Sequence, residues 1–103
     1  MGGATSRSRQ YPLQRKRLQI TGPLTIDQAS PLANSLLAAI EKNDSLDVDL
    51  GESESIDLAG VQVLLSATIA AEQRGVSLRY LRAERYRSLC EYSGFQPLGV
   101  TEP

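Results

Sequence analysis

The chain has 103 residues, of which 41% are hydrophobic and 22% charged, and this composition is typical of one small globular domain. No apolar run approaches the roughly 20 residues of a transmembrane helix, and residues 5–10 are too polar for a signal peptide. The chain lacks histidine and has one cysteine, Cys90, which excludes Cys/His zinc sites, histidine-dependent nucleophilic catalysis and an intrachain disulfide. We therefore expect a cytoplasmic domain without membrane insertion, and we expect Cys90 to be a buried apolar residue.

The formal net charge of −1 conceals a strong polarity along the sequence. Residues 1–17 contain basic side chains and no acid, residues 27–72 are predominantly acidic, and residues 74–87 are rich in arginine. We predict a flexible basic segment over residues 1–16 and a folded domain over residues 17–100. A basic tail can bind nucleic acid, but a solvated terminus is the simpler interpretation, and no nucleic-acid partner is expected.

The first part of the domain has the pattern of a strand followed by a helix. Residues 11–15 are a candidate edge strand, and residues 17–20 alternate with a period of two until Gly22 and Pro23 end the strand. A capping box at residues 25–28 or a Ser-Pro start at residues 30–31 then begins a helix that runs to about residue 42.

The second strand is predicted over residues 46–50, where apolar and acidic residues alternate strictly. Asp47 and Asp49 fall on one face of this strand. Because two carboxylates on one face indicate contact with water, we expect the helices to lie mainly on the opposite face.

The longest predicted helix covers residues 58–73, with Asp57 as its N-cap and Gly75 just after its end. Its expected buried stripe consists of Val61, Leu64, Leu65, Thr68 and Ile69. A strand over residues 76–81 and a helix over residues 83–92, burying Leu89 and Cys90, complete an α/β domain with parallel strands. Right-handed crossovers place the first two helices on the same side of the sheet.

The segment at residues 57–61, Asp-Leu-Ala-Gly-Val, follows a strand and begins a helix. This stretch resembles the signature of STAS domains, the fold of bacterial anti-sigma factor antagonists, in which the motif reads Asp-Ser-x-Gly. The resemblance extends from about Leu18 to Gly99. It implies a STAS-like α/β fold, with a mixed sheet of about four strands and helices mainly on one face.

In the switchable antagonists, the residue after the motif aspartate is the phosphoacceptor. Here that position is Leu58, which has no hydroxyl and cannot be phosphorylated. Ser53 and Ser55 are nearby hydroxyls that leave another modification site open. Leu58 itself has two interpretations, an exposed apolar anchor ringed by Glu52, Glu54 and Asp57, or a core residue.

The resemblance also implies which surface binds partners, namely the motif, the helix after it and the loop before the first helix. In this sequence these positions are Thr25, Glu52, Glu54, Ser55, Asp57, Leu58, Ala59, Gly60 and Gln62. Some antagonists carry an aspartate at the position of Thr25, so its absence weakens the likeness to kinase-binding members.

The resemblance implies a non-enzymatic signalling protein that takes part in transcription regulation by binding an anti-sigma factor or kinase, or a chemotaxis regulator. The alternative is a STAS subunit of a lipid-transport ABC complex that docks on the ATPase. The acidic residues between 47 and 57 lack metal-loop spacing, so we expect neither catalysis nor a metal or other cofactor. An exposed sheet edge leaves homodimerisation open.

Overall fold

The computed structural model describes residues 15–100, and the statements below concern this part of the chain. Three strands and three helices alternate in the predicted order, and a short 3-10 turn at Ile26–Gln28 precedes the first helix. The elements are β1 (Lys16–Thr21), α1 (Ala29–Lys42), β2 (Ser45–Glu52), α2 (Leu58–Gln73), β3 (Ser77–Leu81) and α3 (Glu84–Ser93). Residues 1–14 lie outside the described residues, and with them most of the predicted basic segment (1–16) and of the predicted edge strand (11–15). Of that basic segment, Arg15 donates to Asp47 and Lys16 is the first residue of β1.

The described strands form a parallel sheet in the order β1–β2–β3. The prediction of an α/β fold is confirmed, but the expected mixed sheet of four strands is corrected to three parallel strands in the described region. A fourth position beside β3 is occupied by Val100, which forms one parallel bridge with Tyr80. The chain returns along β3 after α3, but a single bridge does not constitute a strand.

The core lies between one face of the sheet and the helices, as predicted. Leu46, Val48 and Tyr80 point to this face and are fully buried. The helices contribute Leu32, Leu36, Ile40, Val61, Leu64, Ala67, Ala71, Tyr86 and Cys90. The predicted stripe of α2 is wrong at Ile69, which is 47% exposed, because the helix turns its alanines toward its neighbours instead.

Two buried tyrosines anchor the end of this core beside β3. The Tyr80 hydroxyl donates to the Leu64 carbonyl at 2.7 Å, and the Tyr86 hydroxyl donates to the Leu98 carbonyl at 2.8 Å. Their rings meet edge to face, with centroids 5.3 Å apart. Burial raises the pKa of both hydroxyls, so both act as neutral hydrogen-bond donors.

The helix ends agree with the sequence signals except at the start of α1. Gly75 follows α2 with a φ angle of +73°, in the left-handed conformation, as its predicted position after the helix suggests. Gly94 follows α3 in the same way, with a φ angle of +85°. Thr25 precedes the 3-10 turn, but its side chain makes no capping hydrogen bond. The predicted capping box is absent, because the Gln28 N–H donates to the Thr25 carbonyl at 2.8 Å instead of to the Thr25 hydroxyl. The neighbouring Ile26 N–H donates to the carboxylate of Asp57.

The other face of the sheet has no helix on it and carries Asp47 and Asp49. We expected both carboxylates to be solvated, and this expectation is wrong. The side chain of Asp47 is 13% exposed and that of Asp49 is 1% exposed, because arginines in the flanking strands and at their ends lie over them. We call this surface the open face.

Within residues 15–100, none of the helices is long and apolar enough to cross a membrane.

Candidate functional site

Asp57 links the N-terminus of α2 to the turn that precedes α1. Its Oδ1 accepts the Gly60 N–H at 3.0 Å, and its Oδ2 accepts the Ile26 N–H at 3.0 Å. These backbone donors, that of Gly60 foremost, hold the pKa of the Asp57 carboxyl below its ordinary value. The ionised carboxylate is therefore the N-cap of α2 and also accepts a backbone N–H group from the turn before α1.

Backbone hydrogen bonds join the same two segments. The Leu24 N–H donates to the Ser55 carbonyl at 2.8 Å, and the Asp57 N–H donates to the Leu24 carbonyl at 3.1 Å. The result is a parallel bridge between Leu24 and Ile56, with Leu24 buried beneath it. The loop before α1 and the loop before α2 therefore form one surface, although about thirty residues separate them along the chain.

Gly60 is required by the close approach of these loops. A Cβ added to it would lie 2.1 Å from the Leu24 carbonyl oxygen, a distance that no side chain tolerates. The group that approaches Gly60 closely is thus the protein's own backbone.

Leu58, at the phosphoacceptor-equivalent position, is the first residue of α2 and is 45% exposed. Of the two interpretations offered by the sequence, burial in the core is excluded. Ile26, whose N–H is held by Asp57, is 70% exposed. Two large apolar side chains therefore reach solvent on segments that the Asp57 carboxylate joins.

A groove of about 370 Å³ between α1 and α2 adjoins these residues. Ala59, the neighbour of Leu58, lines it together with Ala29, Ala33, Leu37, Gln62, Val63, Ser66 and Ala67. Small side chains on both helices leave the groove open, and Leu37 is exposed at its side. Ile26 and Leu37 were missed as individual site residues, although Leu37 follows Ala29 and Ala33 at four-residue spacing on α1.

The acidic loop after β2 is arranged differently from the expected ring around Leu58. Glu52 lies 3.8 Å from Arg82, toward the open face, and Asp57 is engaged by backbone N–H groups. Arg85 donates to the carbonyls of Ser53 and Glu54 at 2.8 and 2.5 Å, which ties the loop to α3. Two of the three expected rim carboxylates therefore have other partners.

The predicted site residues thus divide into two groups. The hydrogen bonds and the groove bring together Thr25, Asp57, Leu58, Ala59, Gly60 and Gln62. Glu54 and Ser55 are exposed on the loop that faces α3, and Glu52 ends β2 beside Arg82. In the described residues, no group of three or more His, Cys, Asp or Glu side chains is placed to hold a metal ion.

Comparison with known proteins agrees with this architecture. A family model described as "Mlab, STAS domain" matches residues 8–98. The chain therefore belongs to the STAS-domain family. STAS domains generally mediate protein–protein interactions. No curated protein matches this chain.

Two solved structures share the fold. A sulfate transporter family protein from Wolinella succinogenes superposes with a TM-score of 0.62 at 21% identity, over 92% of this chain and 78% of that one. The STAS domain of a SulP transporter from Vibrio cholerae gives a TM-score of 0.56 at 15% identity, over 94% of this chain and 80% of that one. At these identities the likeness concerns the fold.

Proposed function

We propose that this STAS domain is a non-enzymatic docking module that binds a partner protein through one surface, called here the docking surface. It consists of the 3-10 turn at Ile26–Gln28, the first turn of α2 and the groove between α1 and α2. The observation that carries the proposal is the exposure of Leu58 at the position where switchable family members present a hydroxyl.

The physical basis is the combination of two exposed anchors with a shallow apolar groove. Exposed large apolar side chains that lie beside a concave, small-residue surface are typical of protein interaction sites. The Asp57 carboxylate accepts the backbone N–H groups of Ile26 and Gly60, so these hydrogen bonds do not require a large exposed apolar side chain at position 26 or 58. The exposure of Ile26 and Leu58 is better explained by contact with a partner than by the stability of the domain.

The identity of residue 58 also bears on regulation. Leucine cannot accept a phosphate, so binding at this surface would not be switched off by phosphorylation of that residue. Burial of Leu58 against a partner instead favours an association that persists once formed. We infer a constitutive docking role, with any regulation acting through another part of the complex.

Two classes of partner are consistent with this role. The first is a regulatory protein, such as an anti-sigma factor or a chemotaxis regulator, as the resemblance of the motif implies. The second is the ATPase of a lipid-transport ABC complex. The second is favoured by the description of the matching family model as an Mlab STAS domain.

The test is co-purification of tagged wild type and the Leu58→Asp variant from the native host, with partners identified by mass spectrometry. Ile69→Asp is the matched control, because Ile69 is also on α2 and is 47% exposed. It lies roughly 16 Å farther along the helix, given a rise of about 1.5 Å per residue. Both variants should fold, since a charge at an exposed position changes stability by less than about 1 kcal/mol.

We expect one partner to be retained by wild type and by Ile69→Asp and to be lost from Leu58→Asp. If that partner is an ATPase, the result would support the hypothesis of a lipid-transport ABC complex. If it is a kinase or a receptor-associated protein, the result would support the hypothesis of a signalling role. Retention of the same partner by a folded Leu58→Asp variant would refute the docking surface. Equal loss from both variants would likewise show that Leu58 has no particular role.

A further inference from the structure

The open face of the sheet carries two carboxylates held between four arginines. Asp47 accepts from Arg15 Nε at 2.6 Å and from Arg79 Nε and Nη2 at 2.9 Å each. Asp49 accepts from Arg17 Nη2 at 2.7 Å, from Arg82 Nε at 2.9 Å and from Arg82 Nη2 at 3.0 Å. The strand register aligns Arg17, Asp47 and Arg79, so cations flank the central carboxylates on both sides.

The cations are outermost in this arrangement. The carboxylates of Asp47 and Asp49 are almost fully covered, whereas the side chain of Arg17 is 61% exposed. Four guanidinium groups against two carboxylates leave an excess of positive charge, which Glu52 and Glu84 offset at the edge near Arg82. The outer surface of the open face is therefore cationic, in a chain whose net charge is −1.

The arginines are also held in place, which lowers the entropic cost of binding through them. Arg82 adopts φ +52°, in the left-handed region, and its guanidinium lies over Gly51, where a Cβ would be 2.1 Å from the Arg82 Cζ. Paired side chains on neighbouring strands lose less rotamer freedom on binding than free ones do. Ordered guanidinium groups suit planar carboxylates in particular.

The chemistry of the face also indicates what it does not bind. Among the described residues, the large exposed apolar side chains all lie on helices or on the segments beside them. They are Ile26, Leu37, Leu58, Ile69, Tyr92 and Phe95. The register places one apolar side chain, Leu81, beside Asp49, and it is only partly exposed. The described part of the open face therefore has no large exposed apolar side chain for insertion into a lipid surface and no exposed aromatic ring on which nucleic-acid bases can stack. Two copies meeting through this face would oppose arginine to arginine.

We propose that the open face is a second binding surface, which takes an acidic, Asp/Glu-rich segment of a protein partner. Such a segment would lie over the strands and receive the outward N–H groups of Arg17 and its neighbours. This surface is on the opposite side of the sheet from the docking surface, so one domain can contact two polypeptides at the same time.

The test uses the whole chain and a fluorescein-labelled decaglutamate peptide, with binding followed by anisotropy at low ionic strength. Arg17→Gln is the informative variant, because Asp49 keeps Arg82 and the Gly51 N–H as partners when Arg17 is lost. Arg74→Gln is the matched control. It makes the same change of charge on an arginine that is 52% exposed at the end of α2, 3.8 Å from Glu41.

We expect Arg17→Gln to weaken peptide binding by about fivefold or more and Arg74→Gln to change it by less than about twofold. Amide chemical shifts in a peptide titration should move in β1, β2 and β3 and not at Leu58. Circular dichroism of both variants checks that each is folded. This result would support the binding of an acidic segment at the open face, whether or not Leu58→Asp abolishes binding of a partner at the docking surface.

Three outcomes would overturn the proposal. Equal weakening by the two variants would mean that the peptide responds to total charge. Shift changes centred on the first turn of α2 would place the peptide on the docking surface. Tighter, Arg17-dependent binding of anionic phosphatidylglycerol vesicles or of oligothymidylate would show that the occupant is a lipid surface or a nucleic acid and not an acidic protein segment.

Discussion

The docking surface and the open face both use aspartate, but they use it in opposite ways. The carboxylate of Asp57 accepts backbone N–H groups and thereby holds two loops together. The exposed side chains beside it, Ile26 and Leu58, are apolar. Asp47 and Asp49 are bound by arginine side chains, so their charges order cations and the surface above them is positive. One domain therefore presents an apolar side and a cationic side.

The difference shows how a hydrogen-bonded carboxylate can influence the character of a surface through the groups that it binds. At the docking surface, the carboxylate of Asp57 caps α2 and accepts the Ile26 N–H, and the side chains of Ile26 and Leu58 are exposed. On the open face, the carboxylates are covered by the groups that they position. Variants that remove each kind of carboxylate partner separate the two roles.

The largest loss of stability is expected from Asp49→Asn. Asp49 is buried and accepts from two arginines and the Gly51 N–H, and charge-assisted hydrogen bonds in such a place are strong. We expect the free energy of unfolding to fall by about 3 kcal/mol, measured by urea denaturation. Asp44→Asn, an exposed site with the same change of charge, should cost less than about 0.5 kcal/mol. Equal losses would show that the arginine pairs do not stabilise the sheet.

Gly60→Ala is expected to have the next largest effect and tests the junction of the two loops. In a helix, replacement of glycine by alanine ordinarily stabilises by up to about 1 kcal/mol. Here the new Cβ meets the Leu24 carbonyl, so we expect a loss of about 2 kcal/mol instead. Ser66→Ala, at an exposed position of α2, should be neutral or slightly stabilising. A stabilised Gly60→Ala variant would mean that the loops are not in contact.

Acidification is expected to reduce progressively the contribution of the ion pairs on the open face to the stability of the domain. Hydrogen bonds from Arg79 and Arg82 lower the pKa of Asp47 and of Asp49, respectively, below the ordinary value. A depressed folded-state pKa means that the unfolded chain takes up protons first. The contribution to stability is therefore complete above about pH 5 and is lost as the pH falls below about 4, through the folded pKa values.

The measurement for this prediction is the urea midpoint between neutral and acidic pH. Asp49→Asn should show a shallower decline than wild type, since one of the groups with a depressed pKa is gone. Asp44→Asn should decline as wild type does. If the urea midpoint of Asp49→Asn declined with falling pH as steeply as that of wild type, the depressed pKa of Asp49 would be contradicted.

The smallest effects on stability are expected where binding should change most. Leu58→Asp and Arg17→Gln alter exposed side chains, and each should shift the free energy of unfolding by less than about 1 kcal/mol. Thermal denaturation followed by circular dichroism measures both. A much larger loss in Leu58→Asp would show that residue 58 belongs to the core, and a larger loss in Arg17→Gln would make the open face a purely structural feature.

The local elements were determined by the sequence. Alternation predicted β1 and β2, the apolar stripe predicted α2, and Gly75 marked the end of that helix. Asp57 was identified as an N-cap because that role depends on residues a few positions away. These features are local, so neighbouring residues suffice to specify them, and the motif then identified the fold.

The tertiary structure alone decided how distant segments meet. The sequence placed Asp47 and Asp49 on a wet face, because nothing local shows that arginines from distant segments converge on them. These are Arg15, Arg17, Arg79 and Arg82. The sequence also could not show that Asp57 holds Ile26, or that Leu58 remains exposed, since both depend on how the two loops pack around Leu24. A side chain's burial and partners are properties of the assembled domain, and these two surfaces are made by contacts between residues far apart in the chain.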